Sequence, residues 1–133
     1  MYRHFAIAVL LLLLPAAAPA QEASQSASSS SRGDPLMDRV MEATFLVQAD
    51  ITAVNDAEKA NDNARACDNL HKASDDVMEA MSALFDYMED IKTRDYPEAG
   101  KAQLMSKAQA AQEDLGRTSL LINTDLNDRC PAA

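Results

Sequence analysis

Tryptophan is absent from this 133-residue chain, and phenylalanine and tyrosine occur only three times each. Past residue 20 the aromatics are Phe45, Phe85, Tyr87 and Tyr96. Proteins that grip sugars or nucleobases commonly use exposed aromatic platforms, and four scattered rings make a poor one. Basic residues are also thin: 12 Lys and Arg stand against 21 Asp and Glu, and no window past residue 20 holds a basic patch. Nucleic acids and anionic lipids are bound by clustered Lys and Arg that release counterions, so neither is expected as a partner. Of the two histidines, only His71 lies beyond residue 20. One histidine, no serine or cysteine in a recognisable elbow and no strand scaffold leave no nucleophile, base and orienter to assemble. The chain is therefore expected not to be an enzyme. Haem attachment through C-x-x-C-H is absent, nothing pairs His71 with an axial methionine, and no cofactor is expected.

Long apolar runs are confined to the start. Arg3 and His4 form a short basic beginning, and Phe5 to Leu14 are ten uninterrupted apolar residues. Ala18 and Ala20 then place small side chains three and one residues before a cut ahead of Gln21. These are the features of a Sec-type signal peptide over residues 1–20, cleaved after Ala20. A spanning helix needs about 20 apolar residues, and Pro15 ends this run after ten, so no stable membrane anchor is expected after cleavage. No cysteine lies near the cut to accept a lipid. Cleavage would leave 113 of the 133 residues, room for one domain, with 11 basic against 21 acidic side chains and a formal charge of −10. The periplasm of a bacterium, or the medium outside it, is the expected location.

Residues 21–33 read QEASQSASSSSRG, too poor in large apolar groups to offset their ordering entropy, and are expected to form a disordered Ser-rich tether. From Asp34 the composition changes to Ala, Leu, Met, Asp, Glu and Lys, which are helix formers and acids. No stretch alternates Val, Ile and Thr as a strand would. The spacing predicts a first helix from Asp34, as N-cap with Pro35 behind it, to about Ala60, with Met37, Val40, Thr44, Val47, Ile51 and Val54 inward. Asn61-Asp62-Asn63 marks the turn. The second helix carries a heptad seam, Cys67, Leu70, Ser74, Val77, Met81, Leu84, Met88 and Ile91. Ala66, Ala73, Ala80 and Tyr87 lie on one flank of it and His71, Met78 and Phe85 on the other, a stripe wide enough for two neighbours. A third helix is expected from Pro97 to about Asn127, with Leu104, Ala108, Ala111, Leu115, Ile122 and Leu126 inward. Residues 34–133 are thus expected to be all-α, an up-down-up three-helix bundle.

Antiparallel packing would bring Cys67, at the start of the second helix, beside Cys130, after the third. In an oxidising compartment these two are expected to form a disulfide. A redox-active pair normally needs a close C-x-x-C motif, which is missing.

Three sets of residues are candidates for function. His71 with Asp68 and Asp75, on one helix face, joined by Met78 and Met81, could hold a soft metal such as copper or another cation. Six methionines past residue 20, Met37, Met41, Met78, Met81, Met88 and Met105, add thioethers, but methionine also fills helical cores and lines adaptable grooves. Phe45 and Leu46 on the first helix and Leu120 and Leu121 on the third fall off the seams, and exposed together they would make a patch for a protein or peptide partner or for self-association. The leading expectation is a small exported non-enzymatic helical module for protein or peptide interaction. The alternative is a copper or cation binder using the methionines and His71.

Overall fold

The computed structural model describes residues 34–131, which form three helices, α1 (Pro35–Lys59), α2 (Asn63–Thr93) and α3 (Glu98–Arg129). No strand occurs among the described residues. The expected signal peptide and tether, residues 1–33, lie outside them.

Each boundary has a local cause. The carboxylate of Asp34 accepts from the amide of Met37 at 3.2 Å, with Pro35 in the first turn. α1 closes through Asn61, whose φ of 54° is a left-handed conformation that asparagine tolerates. The Asp62 amide then reaches the Ala57 carbonyl at 2.9 Å and the Asn61 amide reaches that of Glu58 at 3.0 Å, a Schellman closure of the last turn. Asp62 caps α2 by accepting from Arg65 at 3.1 Å, so Asn63 is already helical and the turn is one residue shorter than its composition suggests. Pro97 is the N-cap of α3, not its first helical residue: its ψ of 139° is extended, and its carbonyl takes the first helical bond, from Lys101 at 2.9 Å. Proline has no side-chain acceptor, so this end is uncapped. α2 ends at Thr93, two residues past the last seam residue Ile91, and α3 runs two residues beyond its expected end, to Arg129.

Ion pairs show the directions. Arg39 near the start of α1 binds Glu79 and Asp86 in the second half of α2, both at 2.8 Å, and Arg94 just after α2 approaches Asp34 at 3.8 Å. The start of α2 meets the end of α3, where Cys67 and Cys130 are paired at a Cα separation of 5.7 Å. α1 and α3 therefore both run against α2. Arg129 of α3 also binds Glu58 of α1 at the disulfide end.

α2 is the central element. Leu70, Val77, Leu84 and Ile91 from its heptad seam are buried, as are Ala66, Ala73, Ala80 and Tyr87 on one flank, with Ala83 beyond them. The opposite flank does not follow the expectation: His71, Met78 and Phe85 are exposed. The stripe is wide, but displaced toward the alanines, because small side chains let α1 come close while α3 brings mainly Ala108, Ala111, Leu115 and Ile122 to the core. α1 contributes Val40, Val47, Ile51 and Val54. No Cα atom of α1 lies within 8 Å of one in α3, so the two flank α2 without close backbone packing on each other.

α3 also buries polar groups its thin seam gave no hint of, Asp114, Thr118 and Asp125. Thr118 donates to the Asp114 carbonyl one turn back at 2.9 Å, as Thr44 on α1 donates to Val40 at 2.6 Å, so both threonines present their methyl groups to the core. Asp114 accepts from Arg117.

The disulfide closes a span of 63 residues. In the chain-entropy model such a closure is worth about 4 kcal/mol, or roughly 20 °C in melting temperature for a domain of this size. Replacing both Cys67 and Cys130 by Ser is expected to lower the circular-dichroism melting temperature by that order, and reductant should shift the native protein but not the double variant.

Candidate functional site

Seven large apolar side chains of the described residues remain exposed: Met41, Phe45 and Leu46 on α1, Met78 and Phe85 on α2, and Leu120 and Leu121 on α3. Phe45 is 67% exposed and Leu120 69%, values closer to an unfolded chain than to a packed one. Isolated exposed apolars are normal, but a local cluster is not. On α1 the cluster is local by construction, since Met41 and Phe45 are one turn apart and Leu46 is adjacent.

The outer face of α1 reads Asp38, Met41, Glu42, Phe45, Leu46, Ala49, Thr52 and Asp56, all exposed. Its inner face is Val40, Ala43, Thr44, Val47, Ile51 and Val54, all buried. The middle of this helix is therefore apolar on both sides, a pattern normally found in helices covered all round. Its charges are one-sided, because no Lys, Arg or His occurs from Val40 to Glu58. The guanidinium of Arg39 is turned to α2, where Glu79 and Asp86 bind it. Asp56 is within 3.7 Å of Lys59.

The four off-seam residues singled out from the sequence are all exposed, but Phe45 and Leu46 stand on a different helix from Leu120 and Leu121, and those helices do not pack backbone to backbone. Met41, which the sequence offers equally as a thioether ligand, a core filler or a groove residue, joins this exposed group. Its place one turn before Phe45 was the available signal. Met78 and Phe85 were placed on a buried flank and are exposed. No family model, curated protein or solved structure matches the chain.

The candidate cation ligands do not all share one environment. His71, Asp68, Asp75 and Met78 are exposed on α2, whereas Met81 packs against the core. Met37, Met88 and Met105 pack there too. Among the described residues no group of three or more His, Cys, Asp and Glu side chains is placed to hold a metal ion.

Two titratable clusters have shifted members. At the end of α2, Arg94 pairs with Asp90 at 2.9 Å, donates to the Tyr96 hydroxyl at 3.1 Å and lies 5.7 Å from the centre of that ring. Tyr87 beside this cluster is pushed up to about 12, first by burial and then by the charge of Asp34. Between α1 and α2, Asp50 faces Asp76. Burial, then the hydrogen bond and charge of Asp76, raise the Asp50 pKa to about 6 against a smaller opposing pull from Lys72. One Asp50 oxygen is buried without a hydrogen-bond partner among the described residues, which disfavours the ionised carboxylate.

A folded pKa above the ordinary 3.8 means that Asp50 contributes stability below that value and loses it as pH rises through about 6. Asp50→Asn is expected to raise the melting temperature at pH 7.5, with the gain over the native protein shrinking toward zero by pH 3.5. A gain independent of pH would show that the carboxyl does not titrate in this way.

Proposed function

We propose that the chain is an exported, non-enzymatic helical module that binds a protein or peptide partner through the exposed outer face of α1. Residues 1–20 act as a signal peptide removed after Ala20, residues 21–33 are a tether, and the bundle works in a bacterial periplasm or outside the cell. The observation that carries the binding is the double-sided apolar middle of α1, with Phe45 and Met41 left in water opposite a complete core seam. A domain this acidic has ample polar side chains for a surface, so an uncovered phenylalanine with apolar neighbours favours a partner over chance. Export is supported by the ten-residue apolar run ahead of small residues, and by a cysteine pair that a reducing cytosol would keep apart.

Export is tested by amino-terminal sequencing of protein recovered from the periplasm or medium, which is expected to begin at Gln21. A chain retaining Met1 there would sink the signal-peptide assignment. Binding is tested by placing a photo-crosslinking benzoylphenylalanine at position 45 and, as a control, at the exposed Gln109 of α3 in protein expressed in its native envelope. Discrete adducts at position 45 and none at position 109 are expected. Equal labelling at both, or none at 45, would refute the assignment of this face.

A further inference from the structure

We infer that the occupant of the α1 face is a cationic amphipathic helix of a partner protein, its apolar side on Met41, Phe45 and Leu46 and its Lys or Arg residues against Asp38, Glu42 and Asp56. This rests on the partner-binding reading above and adds the chemistry of the partner. Those six side chains lie on one exposed face between Asp38 and Asp56, about 27 Å of helix, with apolar groups in the middle and acids at both ends. A partner helix of about 18 residues would match that length.

Charge complementarity selects the occupant. Asp38 and Glu42 are exposed and form no ion pair among the described residues, while Arg39, next to Asp38 in the chain, is committed to Glu79 and Asp86. A basic helix would gain attraction to Asp38 and Glu42, which pair with no described residue, besides covering the apolar middle. A second copy is disfavoured for the same reason: a two-fold interface sets the same face against itself, and each would bring Asp38, Glu42 and Asp56 to a chain already carrying an excess of nine acidic charges. Anionic lipid is repelled by those acids. The exposed pair Met78 and Phe85 is a weaker candidate, because it holds two large apolar groups, not three, and His71 and Lys92 share its row along α2 at seven-residue spacing.

The test uses the oxidised bundle, with its tether, and two 18-residue capped helical peptides of equal apolar content, one of Leu and Lys and one of Leu and Glu. Amide NMR shifts on adding the Leu/Lys peptide are expected to map to residues 38–56, with affinity falling as salt is raised. Phe45→Ala should weaken binding by about tenfold. Asp38→Asn with Glu42→Gln should weaken it by roughly fivefold and flatten the salt dependence, while Asp68→Asn with Asp75→Asn, an equal charge change on α2, should alter it less than twofold. Equal binding of the Leu/Glu peptide, or equal loss in both charge variants, would overturn the proposal. So would shifts centred on Met78 and Phe85, on Leu120 and Leu121, or on a dimer seen by sedimentation. Adducts at position 45 without Leu/Lys binding would reject the cationic helix and keep the partner, whereas absence of both would reject both.

Discussion

Burial of α2 on two sides is the constraint from which the rest of the molecule follows. Leu70, Val77, Leu84 and Ile91 occupy the middle of its apolar stripe, and no single neighbouring helix covers a stripe that also includes Ala66, Ala73, Ala80, Ala83 and Tyr87. The alanine side admits α1 at short range, and the other side takes the sparser seam of α3. Because both partners are selected by α2, they need not select each other, and their backbones stay apart. A core built in this way has one shared element and two pairings of unequal quality.

Electrostatics follows the same plan. Cations are scarce, and three arginines serve to join helices: Arg39 links α1 to α2, Arg94 ties the end of α2 to the start of α1, and Arg129 links α3 to α1. The pairs are partly solvated and individually modest in energy, so their main effect is on register and direction. Committing cations to these seams leaves the outer surface of α1 negative as well as apolar. The carboxyl pair Asp50 and Asp76 is the exception within a seam, where two acids meet and one is pushed toward its protonated form.

Much of this architecture was legible in the sequence, and the failures have physical causes. Asp34 and Pro35 mark a helix start by chemistry that acts within four residues, and the Asn61 turn is similarly local. Cys67 and Cys130 were placed together by topology alone, since antiparallel neighbours bring those ends side by side. A heptad fixes which residues share a stripe but not toward which flank the neighbours crowd. That depends on side-chain volumes across the interface, so Met78 and Phe85 were assigned to the wrong environment. Burial of Asp114 and Asp125 escaped notice because an acid in an alanine-rich helix looks the same whether or not another helix covers it. For the surface, Phe45, Leu46, Leu120 and Leu121 were visible as departures from the seams, whereas Met41 was hidden by the several roles methionine can play. Meeting of Asp50 with Asp76 is a long-range pairing with no local signature.

The disulfide falls on the less well packed of the two helix pairings. α1 is held to α2 by four large apolar side chains and a double ion pair, while α3 offers chiefly Leu115 and Ile122 among alanines. In a reducing solution the α1–α2 hairpin would keep its own cohesion and α3 would swing away more often. Once the sulfurs are joined, that excursion is limited to fraying between two tethered ends. The bond is thus a latch on the helix that packing holds least.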